Sequence, residues 1–89
     1  MPGPSLRGMD YARRIIDFPT PPGPVPIDPP RAATVTATCY DFTVRTYPVM
    51  AVERAPGPPE LATWIRVRQT LGPDDEWLAW VRAESVRPT

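Results

Sequence analysis

The side chains that do chemistry in proteins are scarce here and badly placed for it. The one cysteine, Cys39, has no histidine anywhere in the chain to activate it. Ser5 and Ser85 also lack an imidazole base, so no serine-type triad can be assembled. Lysine is absent, which removes Schiff-base chemistry and the phosphate-loop lysine, and asparagine is absent, which removes N-glycosylation acceptors. Asp74-Asp75-Glu76 is an acidic run in a predicted turn. Adjacent acids could hold a hard cation, but such sites draw spaced oxygen ligands from a loop with a glycine bend, and the run reads as a solvated turn. A lone cysteine makes neither an internal disulfide nor a thiolate cage, so Cys39 reads as a small buried apolar residue. The expectation is a protein with no catalytic residues, no metal and no cofactor.

Arginine supplies all ten positive charges and Asp plus Glu supply ten negatives, for a net charge of zero. The two signs alternate along the chain, which argues against nucleic acid as a partner. The longest strongly apolar run, Trp77 to Val81, is far short of the ~20 residues of a membrane helix. Met1-Pro2-Gly3-Pro4 has no basic region followed by an apolar one and does not read as a secretory signal. A cytoplasmic or virion-associated location is therefore expected. Missing Lys and Asn, beside abundant Pro, Arg, Ala and Gly, point to a GC-rich bacterial or phage gene.

The elements that must position any binding surface divide near Pro30. Nine of the fifteen prolines fall in residues 1–30, and all three tryptophans fall after them. Residues 1–32 read as a proline-rich arm and residues 33–89 as the only segment able to build a core, near the lower size limit for folding without staples. Within the arm, spacing predicts a short helix near 10–18. Asp10 would be its N-cap, Tyr11, Ile15 and Phe18 would share a face, and Pro19 would end it. So short a helix is unstable alone, so if it forms its apolar face rests on the chain's own body or on a partner, and otherwise the segment is disordered. Residues 19–30 are expected to be extended polyproline II, a semi-rigid spacer.

The body reads as short strands. Val35, Ala37 and Cys39 alternate with Thr34, Thr36 and Thr38, the pattern of a half-buried strand. Phe42 and Val44 continue the alternation in opposite phase, which predicts a bulge or bend near Tyr40. Val49 to Val52 is a further candidate strand, Ala55 to Pro59 a loop, Thr63 to Arg68 a strand with Ile65 and Val67 on one face, and Leu71 to Asp75 a turn. Glu76 to Val86 fits a strand or a helix begun at Pro73-Asp74-Asp75-Glu76, and periodicity does not separate them. As a strand it places Trp77 and Trp80 on opposite faces. One of the two would then be exposed or covered by a partner or the arm, as is typical of recognition surfaces.

Ala33-Thr34-Val35-Thr36-Ala37 followed by Phe42-Thr43-Val44-Arg45-Thr46-Tyr47-Pro48 resembles the opening of bacterial Src-homology-3 domains, where a V-T-A strand leads into an N-V-R-S-G-P turn. Thr63-Trp64-Ile65-Arg66-Val67-Arg68 resembles their W-x-x-V strand, and Ala79 to Val86 their closing G-W-V segment. Thr43, Thr46, Tyr47 and Ala79 depart from the family's Asn, Ser, Gly and Gly. The resemblance covers residues 33–89 and implies an all-β fold, a small five-stranded barrel. Thr38-Cys39-Tyr40-Asp41-Phe42 is also similar to the A-L-Y-D-Y/F motif of eukaryotic members. There the Tyr lines a proline-peptide groove with a Trp, which would map to Tyr40 and Trp64. Pro26-Ile27-Asp28-Pro29-Pro30-Arg31 reads P-x-x-P-x-R, the pattern such grooves bind, through Pro26, Pro29 and Arg31. Only Ala32 separates it from the first strand, so binding between chains is geometrically easier than binding in cis.

Two readings of function lead, and a third, cell-wall targeting as in many bacterial members of the resembled family, is disfavoured by the lack of a secretory signal. One is a structural or accessory subunit of a larger protein assembly, tied to its neighbours by the arm residues Tyr11, Ile15, Phe18, Pro26, Pro29 and Arg31. The other is a stand-alone peptide-binding adaptor whose groove uses Tyr40, Trp64 and Trp80.

Overall fold

The period-two alternation of the body becomes an all-β fold. The structure is a computed structural model and describes residues 11–55 and 63–89. Five strands, β1 Val25–Thr38, β2 Val44–Ala55, β3 Trp64–Gly72, β4 Asp75–Arg82 and β5 Val86–Pro88, form an antiparallel sheet in the order β4-β3-β2-β1-β5. Inward positions on four strands build the core from Ala33, Val35, Val49, Val67, Ala79 and Val81, with Trp77 and Val86 packed against it. The expected Leu71–Asp75 turn is the β3–β4 connection at Pro73 and Asp74. The proline-rich loop expected after Ala55, and the Asp10 cap, lie outside the described residues.

Of the two options for the last segment, the strand is realised as β4, and a 3-10 turn at Ala83–Ser85 leads into β5. Pairing decides this: Trp64 to Thr70 face Arg82 to Glu76 along nearly the whole of β3, which a helix would leave unpaired.

The arm differs from expectation in two ways. First, β1 begins at Val25, so the boundary drawn at residue 32 falls inside a strand. Val25 and Pro26 pair with Arg54 and Glu53, and Arg31 with Ala51, around a register irregularity between Pro26 and Arg31. The prolines at 29 and 30 fall within that irregularity, where a missing amide donor breaks no ladder bond. The Asp28–Pro29 peptide is cis. Residues 25–30 are thus strand rather than free polyproline II.

Second, the helix expected near 10–18 is a single 3-10 turn at Tyr11–Arg13, followed by extended chain. Tyr11, Ile15 and Phe18 therefore do not share a helical face. Extended, the segment exchanges a marginal helix for backbone bonds to the body. Ile16 N–H donates to the Thr38 carbonyl at 3.0 Å, Tyr40 N–H donates to that of Arg14 at 3.0 Å, and Phe18 N–H donates to that of Trp80 at 3.2 Å. The segment thereby links the end of β1 to β4, and Ile15, opposite Cys39, becomes part of the core at 0% exposure.

Candidate functional site

Two neighbouring features at the Thr38 end of β1 carry the unusual chemistry of this chain. The first is the bed in which residues 13–18 lie. Gln69 continues the inward series of Ile65 and Val67 on β3, and it is 1% exposed. A buried amide must spend its donor and acceptor, and both go to the segment's backbone. Its Oε1 accepts from Ile15 N–H at 3.1 Å, and its Nε2 donates to the Arg13 carbonyl at 3.0 Å. Trp77 Nε1–H donates to the Ile15 carbonyl at 2.8 Å, and the Tyr47 hydroxyl donates to the Arg13 carbonyl at 3.1 Å. Burial pushes the Tyr47 phenol up from its ordinary value, helped by the buried Cys39 thiol beside it.

Side chains of the segment are read as well. Arg14 is buried, bridges both Asp75 oxygens through Nη2 at 3.0 and 3.2 Å, and lays its guanidinium 5.0 Å from the centre of the Trp77 ring. Asp17 accepts the Trp80 backbone N–H at 2.7 Å, while its own N–H donates to the Tyr40 hydroxyl at 3.1 Å. The acidic run read as a solvated turn thus contributes Asp75 as the counter-ion of Arg14.

The second feature is the turn from β1 to β2, the bend expected near Tyr40. Phe42 N–H donates to the Cys39 carbonyl at 2.8 Å, and Cys39 N–H to that of Thr43 at 2.9 Å. Asp41 Oδ1 accepts from the N–H and the hydroxyl of Thr43 at 3.0 and 2.6 Å, and Arg45 pairs with Oδ2 at 3.2 Å. These Thr43 bonds, with help from Arg45, hold the Asp41 carboxyl below the usual carboxylate range. Closing the turn forces Phe42 to φ 65°, a left-handed conformation that bulky residues avoid, with its ring 83% exposed. Val44, two residues on, is also exposed. It lines a groove of about 210 Å³ with Ile16, Phe18, Thr36, Val81 and Arg82, among others.

The residues singled out from sequence are dispersed by this geometry. Ile15 and Trp80, at 0% and 1% exposure, are enclosed by the chain itself and present no surface to a partner. Trp77 and Trp80 do point to opposite faces, yet neither is an open platform, because Trp77 is half-buried against the core and Trp80 is covered on the other side. Tyr40 and Trp64 do not pair in a groove. The Tyr40 ring stands edge-on to Trp77 at 6.1 Å, while Trp64 meets Phe18 at 5.2 Å and Arg82 at 5.5 Å. Trp77 and Trp64's cross-strand partner Arg82 are five residues apart on β4, roughly 17 Å at strand rise, and the docked segment runs between the two clusters. Pro26, Pro29 and Arg31 are exposed but belong to β1, so P-x-x-P-x-R is not a free polyproline ligand. Tyr11 lies in the 3-10 turn, and its side chain is outside the description.

Sequence reasoning passed over Arg14, Asp17, Gln69 and Phe42. Gln69 carried a usable signal, a polar residue at an inward position of an alternating strand. Phe42 did not, because its exposure depends on the backbone turning left-handed. Among the described residues no group of three His, Cys, Asp or Glu side chains is placed to hold a metal, and no helix is long and apolar enough to cross a membrane. Comparison of the chain with protein-family models, curated proteins and solved structures returned no match.

Proposed function

We propose that this protein is a non-catalytic, protein-binding accessory or structural subunit of a larger assembly, of bacterial or phage origin and acting in the cytoplasm or the virion. The observation that carries the reading is Phe42. An aromatic ring at 83% exposure on a left-handed backbone buries little apolar surface within this chain. A covering protein would bury it together with Val44, exposed two residues on, and could extend along the groove that Val44 lines with the exposed Phe18. Retained strain of this kind is characteristic of functional surfaces.

A Src-homology-3-like affinity belongs to the same proposal. Support comes from the five antiparallel strands and from where the resembling residues fall, with Val35-Thr36-Ala37 in β1, Trp64 to Arg68 in β3 and Trp80-Val81 in β4.

The test is co-purification of the tagged chain from its native source through size exclusion, beside the double variant Phe42→Ser, Val44→Thr. The expected result is that the parent migrates in a large particle with stoichiometric neighbours and the variant leaves it without losing thermal stability. A variant that stays in the particle, or a parent that elutes alone, overturns the reading.

A further inference from the structure

Residues 13–18 lie in a bed that holds them as it would a peptide. The contacts are those of a bound ligand. Gln69, Trp77 and Tyr47 share four hydrogen bonds with the segment's backbone, Asp75 and the Trp77 ring hold Arg14, and Ile15 fills a core position. Between this segment and β1 lies only the hinge Pro19–Pro24, in which Pro19, Pro21, Pro22 and Pro24 have fixed φ. The bend in that hinge rests on Gly23 at φ 70°, with nothing within 4 Å of where its Cβ would be. The return of the segment onto its own body thus turns at one left-handed residue set among prolines of fixed φ.

We propose that the bed is a self-recognition site, in which a second copy of this chain supplies residues 13–18 by reciprocal exchange. Every contact made within one chain is reproduced between two, so the exchanged dimer differs from two monomers mainly in the hinge. A hinge of six residues gives the segment an effective concentration on the order of millimolar at its own bed. The parent is therefore monomeric in dilute solution and exchanges where copies are held side by side, as in an assembly. The inference rests on the docked segment and its hinge; only the setting in which the parent exchanges rests on the proposed assembly.

The pairing provides the readout. Ile15 and Cys39 face each other, flanked by the Ile16-to-Thr38 and Tyr40-to-Arg14 bonds, so they form the closer, non-hydrogen-bonded type of antiparallel pair. A cysteine at position 15 is thus placed to bridge to Cys39. The full-length variant Ile15→Cys and the double variant Ile15→Cys, Gly23→Pro are oxidised at micromolar concentration, then compared on non-reducing gels and by sedimentation. The disulfide is expected within one chain when Gly23 is kept. With Gly23→Pro it is expected between two chains, at twice the monomer mass, and Gly23→Pro alone is expected to sediment as a dimer. Should Gly23→Pro fail to fold, a hinge lacking residues 20–22 is tested in its place with the same expectation. A hinge variant that stays monomeric, or that dimerises with its disulfide still inside each chain, overturns the proposal.

Discussion

Residues 13–18 and the turn 40–44 are joined by hydrogen bonds at Arg14–Tyr40 and Asp17–Tyr40, yet they treat their side chains in opposite ways. The first comes from the proline-rich third of the chain and hides an isoleucine, an arginine and its backbone polar groups against the sheet. The second comes from the strand-forming body and exposes a phenylalanine and a valine at a strained bend. Burial in the segment is accounted for by stability, because each polar group named there finds a partner and Ile15 completes the core. Exposure in the turn has no such account, which makes it the better marker of a binding surface. Proline content and hydrophobic pattern would have assigned the two roles the other way round.

The contrast is sharpened most by Trp80 and Ile15. Trp80→Ala should cost about 3–5 kcal/mol in urea unfolding, as for any enclosed tryptophan, and half-buried Trp77 should lose less. Equal losses at both positions would mean that the exposure difference between them is not felt. Ile15→Ala should cost about 2–5 kcal/mol and speed exchange of the amides of Ile16 and Phe18, since the segment and the core share this side chain. A loss as small as that of an exposed residue would return the segment to the status of a loose arm.

Phe42→Asn should reverse the sign. Asparagine tolerates the left-handed conformation, and little apolar contact is lost at such exposure, so the chain should gain roughly 0.5–1 kcal/mol and, on the proposed function, should leave the assembly. A destabilised Phe42→Asn chain would show that the ring supports the fold, and the comparison between the regions would break. The smallest effect belongs to Asp41. Its pKa is lower folded than unfolded, so its contribution is present above the unfolded value of 3.8 and is lost as pH falls through the folded value. Asp41→Asn should flatten the acid limb of the stability–pH profile slightly, and an unchanged limb would mean that the Thr43 bonds do not couple to folding.

Much of the body was legible from pattern. The Val35-Ala37-Cys39 series, the Ile65-Val67 face and the Leu71–Asp75 turn depend on alternation and turn residues, which act locally. The candidate site was far less legible. The helix expected near 10–18 satisfied a local periodicity, but Ile15 at 0% exposure obeys a partner on another strand. Tyr40 and Trp64 matched a motif, but the motif carries no distance between them, and the chain set its own residues 14–18 in the intervening space.

What the sequence determined by itself was the absence of catalytic histidine and lysine chemistry, the balanced charge, and the alternation that makes the body all-β, because composition and nearest-neighbour periodicity are properties of the chain alone. The tertiary structure decided the rest. Whether an apolar residue such as Ile15 is buried depends on which distant strands supply Gln69, Trp77 and Asp75. Those contacts span some sixty residues of chain, as in Arg14–Asp75 with a separation of 61, and no local pattern records them.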